Sequence, residues 1–184
     1  MADGGPSRNS AARGSGSRLD VAVVRHDEAW RTAGVTDAML ARAARGGFAA
    51  AAPSPPGTYE VSILLTDDAE MRALNRTWRG KDAATNVLSF PANDTLAPSE
   101  PGLLGDIALA YETTLKEAQA MGIALSDHVA HLVVHGVLHL LGFDHLEEDE
   151  AERMETLERR ALASLGIADP YAERSETRTT EVSP

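Results

Sequence analysis

Four of the chain's six histidines, His128, His131, His135 and His139, lie close together, each three or four residues from the next. On a helix, at about 100° per residue, they share one stripe. Beside it run the apolar Val129, Leu132, Val133, Val137 and Leu140. A helix this apolar is buried, so the stripe faces an interior or a cleft rather than bulk water. His135 and His139 stand one turn apart, and both imidazoles can reach a single ion. Gly142 permits a positive φ where the chain leaves the helix. His145 follows that turn, placed to supply a third nitrogen. Three neutral imidazoles with an open fourth position describe a catalytic zinc site, one Zn2+ per chain, rather than a closed structural one. His128 and His131 taken singly read as satisfied core histidines. His131 is also placed to stand behind a ligand or to relay a proton. Asp144, beside His145, either orients a ligand imidazole or serves the turn.

The segment HGVLHLLGFDH has the histidine and glycine positions of the extended zincin pattern H-E-x-x-H-x-x-G-x-x-H. Gly136 stands where that pattern carries its general-base glutamate. A mid-helix glycine costs about 1 kcal/mol against alanine, so it requires a reason. The two readings are close packing of helix on sheet and room for a substrate beside the metal. In both, ordinary zinc proteolysis loses its base.

Composition narrows the substrate. Seventeen Lys and Arg against 28 Asp and Glu give a formal charge of −11, the wrong sign for a general nucleic-acid coat protein. A local patch must hold any polyanion, and Arg72, Arg76, Arg79 and Lys81, with no acid among them, are the candidate. By contrast Asp144 to Arg160, with eight acids and three arginines, reads as a solvated helix face. The absence of cysteine excludes disulfides, thiolate zinc sites, iron–sulfur clusters and cysteine nucleophiles. No run of about 18 apolar residues is present to span a membrane. The N-terminal arginines precede no apolar segment, which argues against a secretory signal and for the cytoplasm.

The elements that must position these groups follow from periodicity. Strands are expected at Leu19–Val24, Tyr59–Leu65, Asn86–Phe90 and Gly105–Ala110. Thr36 caps a helix running to about Ala51, and Asp67 and Asp68 open another through Trp78, where early acids suit the macrodipole. Further helices run over Glu112–Met121, from a Ser126 cap to Gly142, and over about Glu147–Leu165, closed by Gly166. Ala92–Gly102 reads as a long loop, and Pro53–Gly57 is short enough for a loop rather than a domain linker. The result is an α+β fold: one compact domain at 19–168, a small mixed sheet of about four strands packed with about five helices, and a zincin-like histidine helix. A disordered N-terminal tail at 1–18 and a flexible C-terminal tail at 169–184 flank it. The strand order stays open.

HGVLHLLGFDH, together with LNRTWRGKDAATNVLSFP at Leu74–Pro91 and LLGDIALA at Leu103–Ala110, resembles the bacterial YbeY-type endoribonucleases over roughly Val61 to Leu165, in the same order along the chain. The resemblance implies a compact α+β metalloprotein with zinc on His135, His139 and His145. It implies single-strand-specific RNA cleavage in 16S rRNA 3′-end maturation and ribosome quality control. The implied partners are single-stranded rRNA, the small ribosomal subunit and a ribosome-associated GTPase. A family arginine important for activity matches Arg79, expected on the loop after the Asp67 helix. Zinc lowers the pKa of bound water to about 7, and a guanidinium matches phosphate oxygens. The base is open between zinc hydroxide, another residue and the RNA 2′-OH. The alternatives are a non-catalytic, zinc-stabilised ribosome-assembly factor and a metallopeptidase.

Overall fold

The computed structural model describes residues 16–172 except 54, 93–99 and 146. Residues 1–15 and 173–184 of the expected tails, and most of the expected Ala92–Gly102 loop, lie outside the described residues. In chain order the elements are β1 (Arg18–Arg25), α1 (Ala29–Thr32), α2 (Asp37–Ala51), β2 (Thr58–Thr66) and α3 (Asp68–Arg79). They continue with β3 (Val87–Pro91), β4 (Leu103–Ala110), α4 (Tyr111–Met121), α5 (Leu125–Leu140) and α6 (Glu148–Leu165). The described residues thus carry one helix more than expected, the four-residue α1, too short to give a periodic signal.

Local chemistry explains the boundaries. Thr36 accepts a hydrogen bond from the Met39 amide at the start of α2, and Asp67 accepts one from Glu70 at the start of α3. These are the side-chain caps that free helix N–H groups need. At α5 the cap differs from expectation. Ala124 is the N-cap and offers no side chain, while Ser126 lies inside the first turn. Glycines close α3, α4 and α6 in the left-handed region.

The sheet runs β1-β2-β4-β3, with β1, β2 and β4 parallel and the edge strand β3 antiparallel to β4. The two-residue period sorts the side chains. Tyr59, Val61, Ile63, Leu65, Ile107 and Leu109 face α2 and α5 and form the main core. Leu88, Ala108 and Ala110 face α3 and pack with Met71. Val129, Val133 and Val137 of α5 are fully buried. Each contributes on the order of 1.5–3 kcal/mol by leaving water, so α5 is held firmly and the directions of its histidines with it.

Two close approaches set the site's framework. A Cβ on Gly136 would meet three atoms of Ile107 at 3.0–3.2 Å, so α5 sits directly on β4 there. Of the two readings of Gly136, the structure supports packing; the residue is buried against the sheet and leaves no room for a substrate. Gly105 has φ 141°, and a Cβ there would lie 2.1 Å from the Phe90 carbonyl oxygen, so only glycine lets β3 join β4 at this point.

Candidate metal centre

The helical period puts His135 and His139 on one side of α5, and the chain turns back through Gly142 (φ 88°) to bring His145 against them. Ring centroids are 4.5 Å apart for His135 and His139, 5.1 Å for His139 and His145, and 5.6 Å for His135 and His145. One nitrogen from each ring lies within 4.8 Å of the other two. The Nε2 atoms of His135 and His139 are 3.0 Å apart. Tetrahedral coordination with metal–nitrogen bonds of 2.0–2.1 Å places nitrogens about 3.3 Å apart, so small ring movements suffice to fit an ion.

Glu158 of α6 organises this cluster. Its side chain is 1% exposed. One carboxylate oxygen accepts the His135 Nδ1 proton at 2.6 Å, and the other accepts from His131 Nε2 at 3.4 Å and from the Tyr171 hydroxyl. With the proton on Nδ1, His135 presents its Nε2 lone pair to His139. Across that 3.0 Å contact His139 Nε2 can donate to the lone pair, or both nitrogens can turn their lone pairs to one ion. This carboxylate–imidazole arrangement is the usual support behind a metal-bound histidine. Burial alone would raise the Glu158 pKa, but the hydrogen bonds from His131, His135 and Tyr171 outweigh it and hold the carboxyl well below its ordinary range. Burial, then the Glu158 hydrogen bond, push the Tyr171 hydroxyl up, so it stays a donor. Burial, followed by the charges of His135 and His145, pushes His139 down to about 4. His139 is therefore neutral at pH 7 and able to ligate without first losing a proton. A cavity of about 390 Å³ opens at the cluster, lined by His135, His145, Met154, Glu158 and Tyr171 among others.

The structure decides some open readings and corrects other expectations. His128, 5% exposed and bonded to Glu117 at 2.8 Å, stands apart from the cluster as a core histidine, the reading given to it singly. The carboxylate that orients a ring is Glu158, while Asp144 accepts from the His145 backbone amide and so serves the turn. The acidic run is not wholly a solvated face, because Glu158 points inward. Tyr171, in the region read as a flexible tail, reaches the site. Arg79 is the last residue of α3 rather than a loop residue, and among the described residues it makes no hydrogen bond to the histidine cluster. Arg72 is not a free cation; its guanidinium forks onto Asp82 with two 2.8 Å bonds. The missed Glu158 had a signal: it falls in the apolar stripe of α6 with Met154, Ala161 and Leu162.

The family model for Endoribonuclease YbeY matches residues 34–166. The chain belongs to that family. Curated YbeY endoribonucleases are similar over most of the chain. The one from Rhodospirillum rubrum is 56% identical over 143 residues, covering 76% of this chain and 72% of its own length. The one from Paramagnetospirillum magneticum is 49% identical over 165 residues, covering 85% of this chain and 98% of its own. In fold the chain resembles the solution structure of TM1509 from Thermotoga maritima, with TM-score 0.51 and 17% identity, covering 82% of this chain and 98% of that one. As a YbeY endoribonuclease, the chain is a hydrolase acting on RNA phosphodiester bonds, and its three clustered histidines suit a metal ion. Gly136, inside the helix–sheet contact, leaves the peptidase alternative without a glutamate or a place for one.

Proposed function

We propose that His135, His139 and His145 hold one Zn2+ and that the protein cleaves single-stranded rRNA at this centre, acting in 16S rRNA 3′-end maturation and ribosome quality control. The observation that carries the metal assignment is the pair of Nε2 atoms 3.0 Å apart, backed by the Glu158 carboxylate on the far nitrogen of His135. Imidazole donors suit zinc, and a bound zinc ion supplies Lewis acidity and a nucleophile at neutral pH. The chain's own groups do the rest. Glu158 keeps the proton on His135 Nδ1, and the Tyr171 hydroxyl keeps that carboxylate in place. Arg79 stabilises the phosphate through its guanidinium. Its neighbour Trp78 packs on Phe90 of β3, while Ser89 on the same strand points the other way and donates to the Gly136 carbonyl at 3.4 Å. The helix that ends at Arg79 and the helix that carries the histidines therefore pack on opposite faces of the sheet at its edge strand. That geometry suits an RNA strand passing around β3.

The partners in this reading are the small ribosomal subunit, a ribosome-associated GTPase and single-stranded rRNA, in the cytoplasm. Mapping small-subunit rRNA 3′ ends in cells whose only copy carries His139→Ala tests it. Accumulation of unprocessed 3′ ends is expected. Normal ends, with the variant protein at wild-type abundance, would overturn the assignment.

A further inference from the structure

Of the chain's two tryptophans, Trp30 is fully buried and Trp78 is 69% exposed. A large aromatic held in water carries a cost unless something covers it. Trp78 is not loose: its ring meets Phe90 edge-on at 5.8 Å. It lines one end of an open groove of about 560 Å³ on the α3 face of the sheet, with Leu64, Leu74, Phe90, Leu103 and Asp106 among its walls. Leu103 is also largely exposed there.

Roughly a third of a turn round α3 from Trp78 runs the stripe Arg72, Arg76 and Arg79. Arg79 and Lys81 form no ion pair among the described residues, in a chain whose net charge is −11, while the Arg76 charge acts on Asp82, which Arg72 also holds. Trp78 thus stands between an apolar groove and a cluster with more cations than acids. The groove contains a carboxylate, Asp106, exposed on β4. A phosphate placed there would be repelled, whereas a base could offer it an amino group.

We infer that Trp78 is a stacking platform for a base of single-stranded RNA, with the phosphates over Arg76, Arg79 and Lys81 and the base turned into the groove. Stacking on exposed aromatics beside a basic track is how proteins hold unpaired strands, since every base has a π-face. The charge complementarity favours RNA over a protein partner, for which an apolar groove alone would serve. Trp78 is then a positioning residue: it seats a base beside the phosphate that Arg79 holds and touches no reacting atom. The inference rests on the RNA-cleaving reading above.

The test is intrinsic fluorescence of the zinc-loaded full chain titrated with single-stranded RNA of about ten nucleotides. Trp30 is out of reach, so quenching reports on Trp78. Wild type should be quenched, and Trp78→Phe should lose the signal yet bind within about twofold by anisotropy of labelled RNA. Trp78→Ala should bind about 10-fold more weakly and show the loss in KM far more than in kcat. An equal concentration of duplex RNA should quench little. Because Trp78 is exposed, melting of the variants should match wild type, which separates this from misfolding. Unchanged RNA affinity and KM in Trp78→Ala would overturn the inference and leave the groove to a protein. If zinc-loaded wild type neither bound nor cut RNA, the parent reading would fail instead.

Discussion

Replacing Glu158 by glutamine changes one atom in the most enclosed polar group of the site. The carboxylate is 1% exposed and accepts from three donors: His135 Nδ1 at 2.6 Å, His131 Nε2 at 3.4 Å and the Tyr171 hydroxyl. Glutamine keeps the volume and one acceptor oxygen. If that oxygen serves His135, the amide nitrogen faces two donors, and at least one bond is lost. If the amide flips, His135 is pushed toward the other tautomer and its Nε2 no longer presents a lone pair. A charge-assisted hydrogen bond contributes about 1.5–3 kcal/mol, and at about 1.4 kcal/mol per tenfold its loss weakens metal binding by roughly 10–100-fold, the range typical for groups behind a ligand. Zinc affinity measured by competition with a chromogenic chelator gives the number directly, and nitrogen NMR of the imidazoles reports the His135 tautomer. An affinity within twofold of wild type, with Nδ1 still protonated, would refute this account of Glu158.

Three further outcomes follow from the same geometry. His128→Ala should leave zinc content intact while lowering the melting temperature, because His128 bonds Glu117 away from the cluster; loss of zinc, measured by elemental analysis, would place it in the site. Gly136→Glu should fail to fold rather than become a peptidase, since even a Cβ crowds Ile107 to 3.0 Å and overpacking plus a buried charge costs more than 3 kcal/mol; a folded, soluble variant by circular dichroism contradicts this. Metal-free protein should lose stability as pH falls. His139 has its folded pKa pushed to about 4 from 6.5, so the unfolded chain binds the extra proton in that window. Stability is then full above about 6.5 and declines by on the order of 2–3 kcal/mol toward pH 4; urea melts with no such decline across pH 7 to 4 would count against it.

How much was legible in advance depends on whether a feature is local. The four strands and the caps at Thr36 and Asp67 are written in two-residue alternation and in side chains beside the helix starts, so they could be read. The His135–His139–Gly142–His145 grouping is local too: one helical turn and one left-handed glycine bring it together. Strand order is not local, because parallel neighbours such as β2 and β4 are joined across two intervening elements, α3 and β3. Glu158 and Tyr171 reach the cluster only because α6 folds back beside α5. The acidic run around Glu158 masked its place in an apolar stripe, and the polar residues after Tyr171 masked the aromatic anchor. Gly136 was ambiguous for the same reason. Only the sheet beneath it, through Ile107, decides between packing and a substrate gap. Arg79 kept its position next to Trp78 but moved from loop to helix end, because Gly80 caps α3 one residue after it.

The central claim is that three histidines hold a metal ion on which RNA cleavage depends. Protein stripped with a chelator, then supplied with a single equivalent of zinc, should be assayed on one single-stranded rRNA fragment alongside His139→Ala treated identically. Wild type should be inactive when stripped and recover on adding zinc, with one zinc retained per chain after dialysis, while His139→Ala should retain little zinc and stay inactive. Full cleavage by stripped wild type, or by a His139→Ala protein free of metal, would contradict the account.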